Sequence, residues 1–110
     1  MSDVALKMSE KSLQEAVVDL AHVFGWKVAH FRPALTSAGN WVTPVAADGA
    51  GFVDLVLCKD RILFVELKAT RGQISPAQAD WGARLLMAGA NYLIWRPEDW
   101  RSGEIERVLR

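Results

Sequence analysis

The chain has 110 residues, about half of them hydrophobic, and its 13 basic residues balance its 13 acidic residues. This length suits a single domain, residues 1–110, with a real hydrophobic core, and the composition excludes a disordered or fibrous protein. No apolar run approaches the roughly 18 residues of a membrane span, and the N-terminus lacks the apolar centre of a secretory signal.

The single cysteine and the charge balance bear on compartment and partner. Cys58 cannot form an internal disulfide, which favours a reducing cytoplasm. It has no Cys or His at metal-binding spacing, so we expect it to be a small buried hydrophobic residue. The neutral net charge does not indicate nucleic-acid binding, but eight of the 13 cations are arginines, which bind phosphate well. Carboxylates that hold a divalent cation would lower the net charge without repelling phosphate.

The first third of the chain predicts one helix and one strand. Residues 1–8 are expected to be flexible. Ser9 suits the N-cap of a helix that runs to about residue 24, before Gly25. Its apolar stripe follows helical spacing and comprises Leu13, Val17, Leu20 and Phe24. Residues 26–31 are typical of a strand.

Residues 33–51 predict a long loop, because they are rich in Pro, Gly, Ser, Thr and Asn. A loop of this length in so small a domain is usually functional or mobile. The remaining predicted elements are strands at 52–58 and 62–69 joined by a tight turn, a helix from 75 to about 88, a strand at 92–95, one helical turn at 97–100, and a weak helix or strand at 104–109. The order αβββαβ predicts an α/β fold with a small mixed sheet flanked by helices.

Charged residues interrupt both strands of the central pair. Glu66 and Lys68 are two residues apart and so project from the same face. A three-residue turn pairs Cys58 with Ile62, and the same register places Asp54 opposite Glu66. Two opposed carboxylates about 5 Å apart at Cβ are destabilising unless a cation lies between them, as in a site with oxygen ligands for a hard metal. The alternative is a surface ion pair, in which Lys68 bridges Asp54 or Glu66 on a solvated face.

Two further polar residues could lie near the predicted pair of Asp54 and Glu66. Glu10 extends the apolar stripe of the first helix at its N-terminal end, so it should point toward the sheet; alternatively it is a first-turn acid favoured by the helix dipole. Glu15 lies on another side of that helix and could pair with Ser12. Gln78 fits the capping box of its own helix, which also carries Ser75 and Pro76. Its amide could at the same time lie at an anion-binding position.

Taken together, these runs resemble the VRR-NUC nucleases of the PD-(D/E)XK superfamily, whose fold is restriction-endonuclease-like. The matching segments are residues 51–57, 64–68, 75–81 and 95–97, and Glu10 followed by Gln14, with Trp26 shortly before His30, also fits. The similarity covers about residues 9–109. The family usually has proline before the strand aspartate, where this chain has Val53. That proline is structural rather than a ligand, and all the charged positions are present.

The resemblance implies a metal site at the paired strands. It implies Mg²⁺ or Mn²⁺ bound by Asp54, Glu66 and the backbone carbonyl of Leu67, with Glu10 completing the site. It also implies that Lys68 orients or activates the nucleophilic water. The expected activity is metal-dependent hydrolysis of DNA phosphodiester bonds in a bacterial or phage-infected cell.

The substrate is expected to be DNA with a particular structure. Since phosphate contacts carry no sequence information, we expect structure-selective or nonspecific cutting, and the resemblance implies branched DNA such as a Holliday junction. Gln78 would lie beside the scissile phosphate or the attacking water. The predicted DNA contacts are His30, Arg32, Arg71 and Trp41. The first three are otherwise plain surface residues, and Trp41 could instead belong to a hydrophobic lid packed on the core, rather than stack on a base.

Other functions and assemblies stay open at this stage. One alternative is a non-catalytic DNA-binding or assembly module that keeps an inactive nuclease fold. Another is a structural domain without metal, in which Asp54→Asn would only relieve repulsion. A homodimer is compatible with cutting both strands of a symmetric junction, because one metal site cuts one strand.

Overall fold

The computed structural model describes residues 8–31 and 34–110. Residues 1–7, predicted to be flexible, and the DNA contact predicted for Arg32 therefore lie outside the described residues. Met8, the first described residue, packs against the core.

The described chain forms an α/β domain with four helices and two sheets. In chain order the elements are α1 (Glu10–Val23), β1 (Lys27–His30), β2 (Ala34–Leu35), β3 (Trp41–Val42), β4 (Leu55–Cys58), β5 (Ile62–Leu67), α2 (Pro76–Met87), β6 (Asn91–Trp95), α3 (Pro97–Arg101) and α4 (Glu104–Leu109). The main sheet has the order β1-β4-β5-β6. Its first two pairings are antiparallel, and β5 and β6 are parallel because α2 carries the chain from one to the other. The predicted α/β class and mixed sheet are confirmed.

Helix α1 begins as predicted. The Ser9 side chain accepts a hydrogen bond from the Ser12 N–H, and so caps the helix. The fully buried stripe consists of Leu13, Val17 and Ala21. It faces the core, whereas Leu20 and Phe24, which were predicted to belong to the stripe, are only partly buried at its margin.

Alternation along β4 and β5 divides the sheet into two unlike faces. Leu55 and Leu57 of β4 lie buried beside Leu63, Val65 and Leu67 of β5, against α1 and the C-terminal helix. The opposite face carries the intervening residues. Cys58, at the outward-facing end of β4, is exposed. The prediction of a buried cysteine is therefore wrong, because the strand ends on the solvent side of its alternation.

The C-terminal segment closes the apolar face of the sheet. Residues 104–109 form helix α4, which settles the open choice between helix and strand. Ile105 and Leu109 are fully buried. The Trp26 indole N–H donates to the Leu109 carbonyl at 2.8 Å and so ties the last helix to the start of β1.

Residues 34–51 are more ordered than the predicted loop. Strands β2 and β3 form a short antiparallel hairpin, so this part of the prediction is wrong. The strand predicted from residue 52 begins only at Leu55, because the Phe52 N–H bonds back to Gly49 in a turn. In the described part of the chain, no helix combines the length and apolar character needed to cross a bilayer.

Candidate active site

The pairing of β4 with β5 brings two carboxylates together. The structure pairs Cys58 with Ile62 and Leu55 with Val65, as the turn length predicts. The Asp54 N–H donates to the Val65 carbonyl at 3.1 Å, so the backbone of Asp54 still contacts β5 just before β4 begins. The paired strands thereby bring the Asp54 and Glu66 side chains together, close enough that the charge of Asp54 raises the pKa of Glu66.

Glu66 is the buried centre of this cluster, with only 1% of its surface exposed. Its Oε2 accepts a hydrogen bond of 2.7 Å from Gln78 Nε2. The Lys68 Nζ lies 3.9 Å from the same oxygen, and the Lys68 side chain is 13% exposed. The ion pair of the alternative interpretation is therefore present, but its predicted location on a solvated face is wrong. A carboxylate buried in this way is costly unless partners compensate it.

Gln78 serves two partners with the two ends of its amide. Its Oε1 accepts from the Ser75 N–H at 2.9 Å, and the Ser75 hydroxyl accepts from the Gln78 N–H, which completes the predicted capping box. Its Nε2 is thereby turned toward Glu66. The capping role and the site role thus coexist, and the cap fixes the orientation of the amide.

The backbone of Leu67 lies next to Asp54. The Leu67 N–H donates to Asp54 Oδ2 at 2.7 Å, whereas the next N–H, of Lys68, donates to the Trp95 carbonyl on the β6 side. In an extended strand the N–H and C=O of one residue point to the same side. The Leu67 carbonyl therefore faces the side on which Asp54 lies. Two carboxylates and one carbonyl form an oxygen donor set that suits Mg²⁺ or Mn²⁺.

Glu10 stands at the margin of the cluster. It is exposed at the start of α1, yet burial of its carboxyl group raises its pKa, and the charge on Asp54 raises it further. Within residues 8–31 and 34–110, no three His, Cys, Asp or Glu side chains form a group that could hold one metal ion. Asp54 and Glu66 are thus the central pair, and the ligand role of Glu10 stays a prediction.

The carboxylate pair is electrostatically strained when both groups are ionised. Burial, and then the charge of Asp54, raise the pKa of Glu66 to about 8. Burial also raises the pKa of Asp54, although the hydrogen bond from Leu67 opposes this. Without a cation, the pair therefore retains a proton at neutral pH. A divalent cation between the two groups would replace that proton and favour both ionised forms.

This strain predicts the pH dependence of stability. In EDTA, the free energy of unfolding should fall as pH rises from 4.5 toward about 8, because folded Glu66 keeps a proton that the unfolded chain releases. The slope from this one group is at most about 1.4 kcal/mol per pH unit. Urea unfolding at pH 5, 6.5 and 8 measures it. Glu66→Gln should flatten the profile, and a wild-type profile as flat as that of the variant would contradict the prediction.

Metal binding should stabilise the fold more as pH rises, which is opposite to the pH dependence expected in EDTA. Mn²⁺ should raise the midpoint of thermal unfolding most at pH 8, since it binds the ionised pair. A concentration of 100 times its Kd adds about 2.7 kcal/mol to the free energy of unfolding. Melts with Mn²⁺ and with EDTA test this, and Glu66→Gln serves as the matched variant that should lose the shift. An equal rise in melting midpoint in wild type and in Glu66→Gln would show that Mn²⁺ binds at a site other than the Asp54–Glu66 pair.

The predicted DNA contacts occupy different positions around the cluster. His30 is half-buried in β1, its Nδ1 lies 3.3 Å from Gln14 Nε2, and its charge lowers the pKa of Asp54. Arg71 is exposed in the turn after β5, three residues beyond Lys68. Trp41 is 69% exposed on the hairpin, so its placement in a lid packed on the core is wrong.

Arg96 is a residue of the site that the sequence did not reveal. Its guanidinium donates from Nη1 to the Ala69 and Gly72 carbonyls, at 2.8 and 2.9 Å, and so holds the turn that follows β5. A Cβ at Gly72 would lie 3.3 Å from Lys68 Cδ, so this turn also packs against the lysine. In the sequence, Arg96 stands within the run 95–97 that resembles the nucleases, with no indication of what it contacts. Its partners are more than 20 residues away in sequence, so no local signal marks its role.

The site thus gathers charged and polar side chains from three parts of the fold: the paired strands, the start of α2 and the start of α1. Asp54, Glu66, Lys68 and Gln78 are in direct contact or nearly so, and Glu10 interacts with them electrostatically. A scan against protein-family models and searches of curated proteins and of solved structures gave no match for this chain. The chemistry of the site is therefore the main support for a function.

Proposed function

We propose that this protein is a Mg²⁺- or Mn²⁺-dependent DNA endonuclease with a site of the PD-(D/E)XK type. The observation that carries the proposal is the proximity of Asp54 to the buried Glu66, with the Lys68 ammonium group 3.9 Å from Glu66. Opposed buried carboxylates destabilise a fold without a cation. Two such carboxylates next to a lysine suit metal-dependent hydrolysis.

The residues have separate tasks in this proposal. Asp54, Glu66 and the Leu67 carbonyl would hold the ion, with the carboxylate oxygens that now face each other. A bound divalent ion supplies polarisation of the scissile phosphate. Gln78 keeps Glu66 in place through its hydrogen bond to Oε2, so the carboxylate needs no reorientation when the substrate binds.

Lys68 would act directly on the reacting groups. Its ammonium group is a hydrogen-bond donor and can orient the attacking water by donating to the water oxygen. It can also stabilise the negative charge that develops on the phosphate oxygens. The low exposure of its side chain limits screening by water, which strengthens this interaction. Glu10 would complete the electrostatic environment, since its charge interacts with Lys68 and Asp54.

DNA would be bound through its backbone and shape. In sequence, His30 precedes Asp54 and Arg71 follows Lys68. Both side chains are of types suited to phosphate contacts. The zero net charge argues against strong nonspecific electrostatic binding to any DNA. Together these features support structure-selective cutting of branched DNA, with Holliday junctions as a first substrate.

A cleavage panel tests the proposal. Four-way junction, flap, nicked, single-stranded and duplex DNA of one sequence would be incubated with the protein in Mg²⁺, in Mn²⁺ and in EDTA, and cuts mapped on each strand. We expect metal-dependent cleavage of at least one branched DNA. Binding of DNA in all conditions with no cut would instead favour a non-catalytic DNA-binding module. Neither binding nor a metal-induced rise in thermal stability would favour a metal-free structural domain.

A further inference from the structure

A cavity opens directly beside the candidate active site. It has a volume of about 340 Å³, and its lining includes Phe31, Val42, Val45, Phe52, Asp54 and Gln78. Volumes of roughly 300–1,000 Å³ are typical of sites for small ligands. Because Asp54 and Gln78 belong to both places, any group that enters the cavity lies next to the carboxylate pair.

The aromatic wall of the cavity is held by ring contacts. The Phe52 ring packs edge to face against Phe31, with centroids 5.6 Å apart, and against Trp81, at 4.9 Å. The Trp81 indole N–H donates to the Asp48 carbonyl at 3.0 Å, which ties the loop before the cavity to helix α2. The wall is thus supported from behind and is present before any ligand binds.

The backbone beside this wall lies directly on helix α2. Gly51 has a φ of +83°, and a Cβ at this position would come within 2.6 Å of Ala77. Only glycine accommodates both the left-handed backbone and this approach. The contact places the loop next to Gln78, and so joins the cavity to the catalytic cluster.

Three apolar side chains of the cavity are open to solvent. Phe31, Val42 and Val45 are 42%, 47% and 51% exposed. Neighbouring exposed hydrophobic residues beside a polar site commonly mark a ligand-binding surface. Among the described lining residues there is no cation and one carboxylate, so none of these residues offers a counter-charge to a phosphate. The chemistry therefore fits a neutral, flat group with apolar faces, attached to a phosphate that stays outside with the metal.

We propose that this cavity binds an unpaired nucleobase adjacent to the scissile phosphate, an inference that rests on the proposed nuclease function. A base within an intact duplex is stacked and cannot enter, whereas an unpaired base can stack on an aromatic side chain without sequence preference. The protein would then select DNA by an unpaired nucleotide at the cut, as in a flap, bulge or single strand.

Binding can be measured without cleavage. An oligonucleotide with 2-aminopurine at a single-nucleotide bulge would be titrated with wild-type protein in EDTA and in Ca²⁺. We expect the fluorescence to be quenched on binding, because the base stacks on Phe31. Phe31→Ala should abolish the quenching and weaken binding roughly tenfold. Val45→Trp, which fills the cavity from its exposed side, should do the same, and it guards against a folding defect of the Phe31 variant.

Leu35→Ala is the matched control, since Leu35 is 58% exposed on the hairpin that also carries Val42 but does not line the cavity. It should leave quenching and binding unchanged. Quenching that survives both Phe31→Ala and Val45→Trp would overturn the proposal.

Cleavage separates this inference from the proposed function. In Mg²⁺, a bulge with a base should be cut roughly tenfold faster than the same bulge with an abasic unit, and Phe31→Ala should remove the difference. Equal rates on the two DNAs with wild-type protein would reject the base site while leaving the nuclease proposal intact. If no DNA in the panel is cut, the nuclease proposal fails, and the fluorescence titration still decides whether the cavity binds a base.

Discussion

Asp54→Asn and Glu66→Gln should each lower the rate of DNA cleavage by more than about 100-fold. Even partners that only support metal ligands are worth about 10–100-fold, and these two groups would bind the ion themselves. The measurement is single-turnover cleavage of the preferred DNA of the panel in saturating Mn²⁺. Asp19→Asn is the matched control, because Asp19 is an exposed aspartate of α1 outside the cluster.

The same Asp54 variant should be more stable than wild type without metal. Removing one charge relieves the repulsion that raises the pKa of Glu66, and the amide oxygen can still accept from the Leu67 N–H. The gain should be roughly 1 kcal/mol at pH 8, measured by urea unfolding in EDTA. An inactive variant with higher stability would exclude unfolding as the cause of inactivity. Cleavage at the wild-type rate would remove Asp54 from the site.

Lys68→Met should lower kcat by about 10²–10³-fold, which is the usual effect of removing one group that stabilises transition-state charge. The Met side chain preserves the packing of the lysine stem, so the fold should persist. Lys68→Arg should not restore full activity, because the planar guanidinium group presents its hydrogen-bond donors in a fixed fork and cannot take the position of a compact ammonium group. Steady-state kinetics on the preferred DNA separates kcat from KM.

Two readouts distinguish a catalytic lysine from a structural one. The Mn²⁺-induced rise in melting temperature should persist in Lys68→Met, because Asp54, Glu66 and the Leu67 carbonyl remain. Lys59→Met is the control for loss of one positive charge, since Lys59 is exposed and lies over the Trp26 ring, away from the site. A rise in KM with unchanged kcat would assign Lys68 to DNA binding instead.

The central pairing was predictable from sequence because its information is local. The three-residue turn at 59–61 fixes the register of two neighbouring strands as far as Leu55 and Val65, and so brings the adjacent Asp54 and Glu66 near each other. The capping box at Ser75 and Gln78 was predictable for the same reason, since both partners lie within one helical turn. Resemblance to a nuclease family added roles to these residues, and those roles stay predictions.

Other features depend on how distant segments meet. Nothing near Gln78 indicates that its amide nitrogen reaches Glu66, because that contact depends on where α2 crosses the sheet. The exposure of Cys58 follows from the point at which β4 ends, and the hairpin at 34–42 contradicted a composition typical of loops. In such cases the packing of a segment against the rest of the fold decides its secondary structure more than the intrinsic propensity of its residues.

The sequence by itself determined the α/β class, the strand register and the identity of the charged residues that share one sheet face. Only the tertiary structure decided that Glu66 is buried, that Gln78 and Arg96 support the site, and that an apolar cavity adjoins Asp54. The physical reason is range: turn length, alternation and caps act over a few residues, whereas burial and side-chain contacts depend on packing between elements far apart in the chain.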